Sequence, residues 1–291
     1  MFDADMLGWI EATERASAPL GESVAAMRAA YEADRAAGHG GRPDGMAVED
    51  LTLAGRPARR YRGGARGRVL FYHGGGYVVG SLETHDDACA TLAHRAECEL
   101  IALDYRLAPE HPFPAAYDDA LLAARELEGP LVLAGDSAGG TLAAGVAVAL
   151  RGTGRIAGQV LIYPALGGWE TGLPSYREKA EARLLTTADM QWFADQWGAP
   201  ADDARAAPLL AADVTGVAPC IAFAAAEDPL RDDVEAWVAH LRAAGVHAQG
   251  LVEEGLPHGY LFARHASKRA AAAFGRIVEA VRNFTTASEH P

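Results

Sequence analysis

The run Gly135-Asp136-Ser137-Ala138-Gly139-Gly140 follows the apolar residues Leu131 to Ala134 and opens a helical stretch that reaches Leu150. Strand, sharp turn and helix in that order perch Ser137 on a turn whose neighbours two before and two after must be small, and Gly135 and Gly139 meet that need. The helix start behind it aims free N–H groups and a positive dipole end at the same point. A serine hydroxyl attacks a carbonyl only when a base takes its proton and an acid orients the base. Of the ten histidines, His258 stands in the loop Gly255-Leu256-Pro257-His258-Gly259, between the last strand pattern and the final helix, where open α/β sheets gather catalytic groups. His240, His247 and His265 fall within or beside helical patterns, and His39 and His290 in flexible segments. Asp228 lies just past the run Cys220 to Ala225, its turn set by Pro229. It is the preferred orienter and Asp232 the runner-up, since Asp232 and Asp233 read as helix caps or first-turn acids.

Acyl transfer also needs donors for a developing oxyanion. Val69 to Tyr72 runs into His73-Gly74-Gly75-Gly76-Tyr77, where consecutive glycines let backbone N–H groups turn toward one point. A dinucleotide loop is the rival reading, but Gly74, Gly76 and Gly80 are spaced one position too long for it.

The elements that must hold these residues are legible as an alternation. Short β-prone runs at Ala47 to Leu53, Ala58 to Tyr61, Val69 to His73, Leu100 to Asp104, Leu131 to Ala134, Gln159 to Tyr163, Cys220 to Ala225 and Ala248 to Val252 predict eight strands. Several are apolar without alternation, as strands covered on both faces are. Helical patterns such as Asp232 to Ala244 and Ala266 to Phe284 lie between or after them, so an α/β fold with a mostly parallel sheet is predicted. Residues 1 to about 45 read as helical, up to a break at Gly38 to Pro43. Between Leu166 and Pro208 there is no strand candidate, yet Trp169, Tyr176, Trp192, Phe193 and Trp197 gather there, which predicts a helical insertion capping the sheet.

Composition narrows the partners. With 291 residues, half of them hydrophobic, the chain can bury a large core, and one α/β domain of this length is ordinary. A net charge of −13 repels phosphate backbones, so nucleic acid is excluded as a partner. The run Arg56, Arg59, Arg60, Arg62, Arg66, Arg68 reads as a solvated strand face. Cys89, Cys98 and Cys220 form no disulfide or zinc pattern, which suits a reducing compartment. The first basic residue, Arg15, follows Asp3, Asp5 and Glu11, the reverse of a secretory leader. No uncharged stretch spans a membrane. A cytoplasmic location is expected.

The motifs resemble the bacterial hormone-sensitive-lipase-like carboxylesterases of the α/β-hydrolase fold. The likeness runs through HGGGYVVGS at 73 to 81, DYRLAPEHPFPAAYDD at 104 to 119, GDSAGG at 135 to 140, LIYP at 161 to 164, AAEDPLRDD at 225 to 233 and PHGYLF at 257 to 262. The chain order serine, aspartate, histidine is also that of the fold. The resemblance implies a single α/β-hydrolase domain over 1–291, with a helical cap from residues 1–45 and the insertion 167–207. It implies Ser137 as nucleophile, Asp228 and His258 as its partners, and oxyanion donors from the backbone of Gly75, Gly76 and Ala138. The implied substrate is a small-molecule ester with a short to medium acyl chain or an aryl group, with no metal or cofactor, and a homodimer is compatible. Amidase, lactonase or peptidase action by the same triad, and a non-catalytic ligand receptor on this fold, stand as alternatives. Two departures are visible: Arg125 to Leu131 is short, and Thr141 stands where asparagine is common. Arg106, Glu110 and prolines 109, 112 and 114 read as loop braces, His73 as a support of the oxyanion loop, and Tyr77 as a pocket border.

Overall fold

The computed structural model describes residues 1–18, 22–168 and 172–287. Trp169 and His290, singled out above, lie outside them. All eight predicted strands form: β1 Ala47–Leu53, β2 Arg56–Arg62, β3 Arg68–Tyr72, β4 Glu99–Leu103, β5 Leu131–Asp136, β6 Ile156–Ile162, β7 Cys220–Glu227 and β8 Ala248–Pro257. They make one sheet in the order β1-β2-β4-β3-β5-β6-β7-β8, in which β2 runs antiparallel to its neighbours β1 and β4 and the other pairings are parallel.

Helices α1 Ala4–Ala16 and α2 Val24–Ala37 precede the sheet. Between and after the strands come α3 Leu82–Ala96, α4 Ala115–Glu126, α5 Ala138–Ala149, α6 Ser175–Glu178, α7 Thr187–Trp197, α8 Arg231–Ala243 and α9 Lys268–Ala287. Their starts carry the expected chemistry. Asp3 accepts the Met6 N–H at 2.9 Å and Ser23 the Ala26 N–H at 3.2 Å, while Ser81 with Thr84 and Thr186 with Asp189 form capping boxes.

The continuous apolar strands divide into two cores by their period of two. Leu70, Tyr72, Leu131, Leu133 and Ala222 face α4, α5 and α8 in one cluster. Val69, Phe71, Val132, Ala134 and Phe223 face α1, α3 and α9 in the other. The sheet is clothed on both sides, and the carboxyl ends of its parallel strands form one rim.

One expectation about the arginine run is corrected. It is a solvated face only in part: Arg62 is exposed, but Arg59 is buried, and its guanidinium bonds Asp50, Glu83 and Asp86. Arg60, Arg62, Arg66 and Arg68 each pair with Glu49, Glu97 or Glu99. The partners come from neighbouring strands and helices, which a reading of consecutive residues cannot see.

Candidate active site

Ser137 caps β5 at φ 52° and ψ −122°, a left-handed conformation that costs a non-glycine residue about 1–3 kcal/mol. The glycines around it are required by space. A Cβ on Gly139 would lie 1.9 Å from the Tyr72 carbonyl oxygen, and one on Gly135 would lie 2.4 Å from the Gly139 backbone. The turn is pinned by the Ser137 N–H, which donates to the Ile162 carbonyl at 2.8 Å.

Asp228 follows β7, two strands from β5, and His258 follows β8, so a side chain must bridge roughly 10 Å of sheet. The imidazole does so. His258 Nδ1 lies 2.7 Å from Asp228 Oδ2, and His258 Nε2 lies 3.0 Å from Ser137 Oγ. A carboxylate only accepts, so Nδ1 carries the proton and Nε2 is left to accept from the serine hydroxyl. Asp228 is fully buried, and its other oxygen accepts the Leu230 N–H at 2.9 Å. The Tyr163 ring packs against His258 with centroids 4.7 Å apart.

The glycine loop that follows β3 is held from its start. Gly74 donates to Asp136 Oδ1 at 2.8 Å, and His73 Nδ1 donates to the Gly74 carbonyl at 2.7 Å while its ring stacks on Tyr105. Burial, with His85 nearby, lowers the His73 pKa to about 3, so this ring is a neutral brace. Among the described residues the N–H groups of Gly75 and Gly76 donate to no protein acceptor. The N–H of Ala138, first in α5, has no intrahelical one. Gly75 at φ 119° has no room for a side chain, since a Cβ would meet the Val79 carbonyl oxygen at 2.1 Å.

Above these groups lies a cavity of ≈ 590 Å³. Trp9 and Tyr31 wall it from the N-terminal helices, Phe193 and Trp197 from the insertion, with Ser137 and His258 at its floor. Arg183 of the insertion ion-pairs with Glu14 of α1, tying the two walls together.

The brace readings of Arg106 and Glu110 agree with the contacts. Arg106 forks onto Asp119, and Glu110 receives Arg28 of α2. Asp232 and Asp233 do not cap their own helix. Asp232 accepts the Ser175 N–H at 2.9 Å, and Asp233 Oδ1 accepts from Leu166 N and Gly167 N at 2.6 Å each and from the Tyr176 hydroxyl at 3.1 Å. Both therefore hold the root of the insertion, contacts made across more than fifty residues of chain. Asp136 is a further residue the sequence reading passed over. It is buried, and burial opposes its charge, but His85, 3.2 Å away, and the Gly74 N–H outweigh this and lower its pKa.

For Asp233 the balance runs the other way. Burial pushes its pKa up to about 7 in spite of its three donors. The unfolded chain releases this proton near pH ~4 and the folded chain near 7, so stability falls as pH rises between the two. Asp233→Asn keeps an acceptor for Leu166 and Gly167 and removes the titration. Its Tm relative to the unsubstituted protein should climb from pH 4 to pH 8, and a pH-independent difference would refute the assignment.

Comparison with known proteins fits this geometry. The profile of one family, described as an alpha/beta hydrolase fold, matches residues 69–262. The carboxylic ester hydrolase LipN of Mycobacterium tuberculosis (strain ATCC 25618 / H37Rv) is 37% identical over 81% of this chain and 70% of its own. The ethyl acetate hydrolase of Pseudomonas putida is 36% identical over 84% and 85%. Among solved structures, an esterase from the bacterial hormone-sensitive lipase family superposes with a TM-score of 0.89 at 30% identity, over 98% of this chain and 99% of that one. The fold and its serine-bearing turn are those of an α/β-hydrolase. Within that class the chain belongs to the bacterial hormone-sensitive-lipase-like carboxylesterase family.

Proposed function

We propose that the chain hydrolyses carboxylic esters of short to medium acyl or aryl type through an acyl-serine intermediate. The observation that carries this is the hydrogen-bonded line Asp228, His258, Ser137 at the floor of a largely apolar cavity, beside N–H groups left without acceptors. His258 takes the hydroxyl proton as Ser137 Oγ bonds to the ester carbonyl carbon, and the carbonyl oxygen becomes an anion facing the N–H groups of Gly75, Gly76 and Ala138. The tetrahedral species collapses, the C–O bond to the alcohol breaks, and the imidazolium returns its proton to the departing alkoxide. Water, deprotonated by the same imidazole, then attacks the acyl carbon, the bond from that carbon to Ser137 Oγ breaks, and the imidazolium returns the proton to Oγ as the acid leaves. Asp228 holds the tautomer and stabilises the imidazolium. Residues 1–45 and the insertion 167–207 act as a cap that excludes water and grips the substrate.

A reducing, cytoplasmic setting is inferred from the three cysteines. All are free and buried, and burial pushes the Cys98 and Cys220 thiols up to about 12, so they take no part in the chemistry.

A parallel panel of 4-nitrophenyl esters from acetate to dodecanoate, lactones and anilides tests the reading. Fastest turnover is expected on short to medium esters. Faster anilide or lactone turnover would reassign the leaving group, and absence of turnover throughout, with ligand binding retained, would favour a receptor.

A further inference from the structure

Arg28 lies on the cap helix α2, remote in sequence from the motif residues, yet its guanidinium is committed to the oxyanion loop. Nε donates to the Val78 carbonyl at 2.8 Å and Nη2 to the Ala108 carbonyl at 2.9 Å. The rest of the fork takes Glu110, Nη1 to Oε1 at 2.8 Å and Nη2 to Oε2 at 2.7 Å. Both carbonyls belong to the frame of the loop. Val78 and Val79 donate their N–H groups to the Gly75 carbonyl at 3.0 and 2.9 Å, and Ala108 donates to the Tyr77 carbonyl at 2.8 Å.

The loop needs such a frame. Gly75, Gly76 and Tyr77 take φ values of 119°, 58° and 65° in succession. Tyr77 is no glycine, and a run of left-handed residues persists only where the surroundings over-determine it. The Asp136 carboxylate fixes the loop's entry at Gly74, and the far end is fixed by Arg28. The same helix presents Met27, Ala30 and Tyr31 to the cavity, so the wall that meets substrate and the clamp on the loop are one rigid piece.

We propose that Arg28 is a positioning residue for ester hydrolysis, holding the Gly75–Val79 turn so that the Gly75 and Gly76 N–H groups converge on the oxyanion. The inference rests on the esterase reading above. Without the fork the Val78 and Ala108 carbonyls lose their donor and the turn relaxes, which weakens binding of the tetrahedral species more than binding of the planar ester. A misplacement of about 1 Å at such a site costs on the order of a hundredfold.

The test compares the wild-type chain with Arg28→Met, Arg28→Lys and Glu110→Gln. Esterase turnover by the wild type is the check on the underlying reading, and its absence would sink that reading before the variants are considered. With an active wild type, Arg28→Met should lower kcat on 4-nitrophenyl acetate and butyrate by about ten- to a hundredfold, with KM within about threefold. The affinity for phenylboronic acid, whose serine adduct is tetrahedral, should fall by the same factor as kcat. Arg28→Lys keeps the charge but not the fork, should show the same split, and carries the test if the methionine variant does not fold. Glu110→Gln removes a half-exposed ion pair but leaves both carbonyl bonds, and should stay within about threefold of wild type. An unchanged kcat and boronate affinity in folded Arg28→Met or Arg28→Lys would overturn the proposal. So would a loss in Glu110→Gln as large as theirs, since the ion pair and not the carbonyl clamp would then be responsible.

Discussion

Ser137→Ala should lower kcat by about a millionfold, as removal of the nucleophile from a serine triad does. The change is confined to the chemistry. The turn is fixed by the Ser137 N–H on the Ile162 carbonyl and by the glycines at 135 and 139, none of which involves the hydroxyl. Alanine meets the same strain at φ 52°, so thermal stability should stay within a few degrees of wild type. An organophosphate should add one adduct to the wild-type chain, mapped by mass spectrometry to Ser137, and none to the variant. Retained turnover above a hundredth of wild type, or an adduct on another residue, would remove Ser137 from the role assigned to it.

Asp228→Asn should lower kcat by about ten-thousandfold while leaving the fold intact. The reason is a tautomer. Asp228 Oδ1 accepts from the Leu230 N–H and Oδ2 from His258 Nδ1. An asparagine that keeps its oxygen toward Leu230 turns its NH₂ toward Nδ1. The imidazole proton then moves to Nε2, and Nε2 can no longer accept from Ser137 Oγ. Raising the pH does not restore an acceptor there, so the loss should persist across the active pH range. Asp232, the runner-up, is occupied by Arg231 and the Ser175 N–H, and Asp232→Asn should change kcat only severalfold. Steady-state kinetics on one ester decides between the two aspartates. A near-normal Asp228→Asn together with a dead Asp232→Asn would reverse the assignment.

What the chain order of residues discloses is limited to patterns that are local. The eight strands were legible because each is a short apolar run between turn residues, and the doubly covered ones lack alternation. Ser137, Asp228 and His258 were legible because each follows a strand that ends on one rim, and the turn at 135–139 has room only for glycine on either side of Ser137. Asp136 escaped notice because it occupies the variable position of the serine motif, where any residue would satisfy the pattern. Asp233 escaped because a carboxylate in a helix's first turn already has an adequate local explanation. Arg59 and Arg28 share one cause: an arginine on a strand or an amphipathic helix looks like solvent-facing charge until the elements that supply its partners, up to 82 residues away, are assembled.

The histidine loop hangs from the outermost strand. Among the described residues β8 pairs only with β7, and its far edge carries no further strand of the sheet. Fraying begins at such margins, where fewest bonds must break. His258 therefore depends on an edge of the sheet, and opening of that edge would part it from Ser137. Under mild denaturant, activity would vanish while the bulk of the chain still gives a native spectrum, and it would return as that border re-zips.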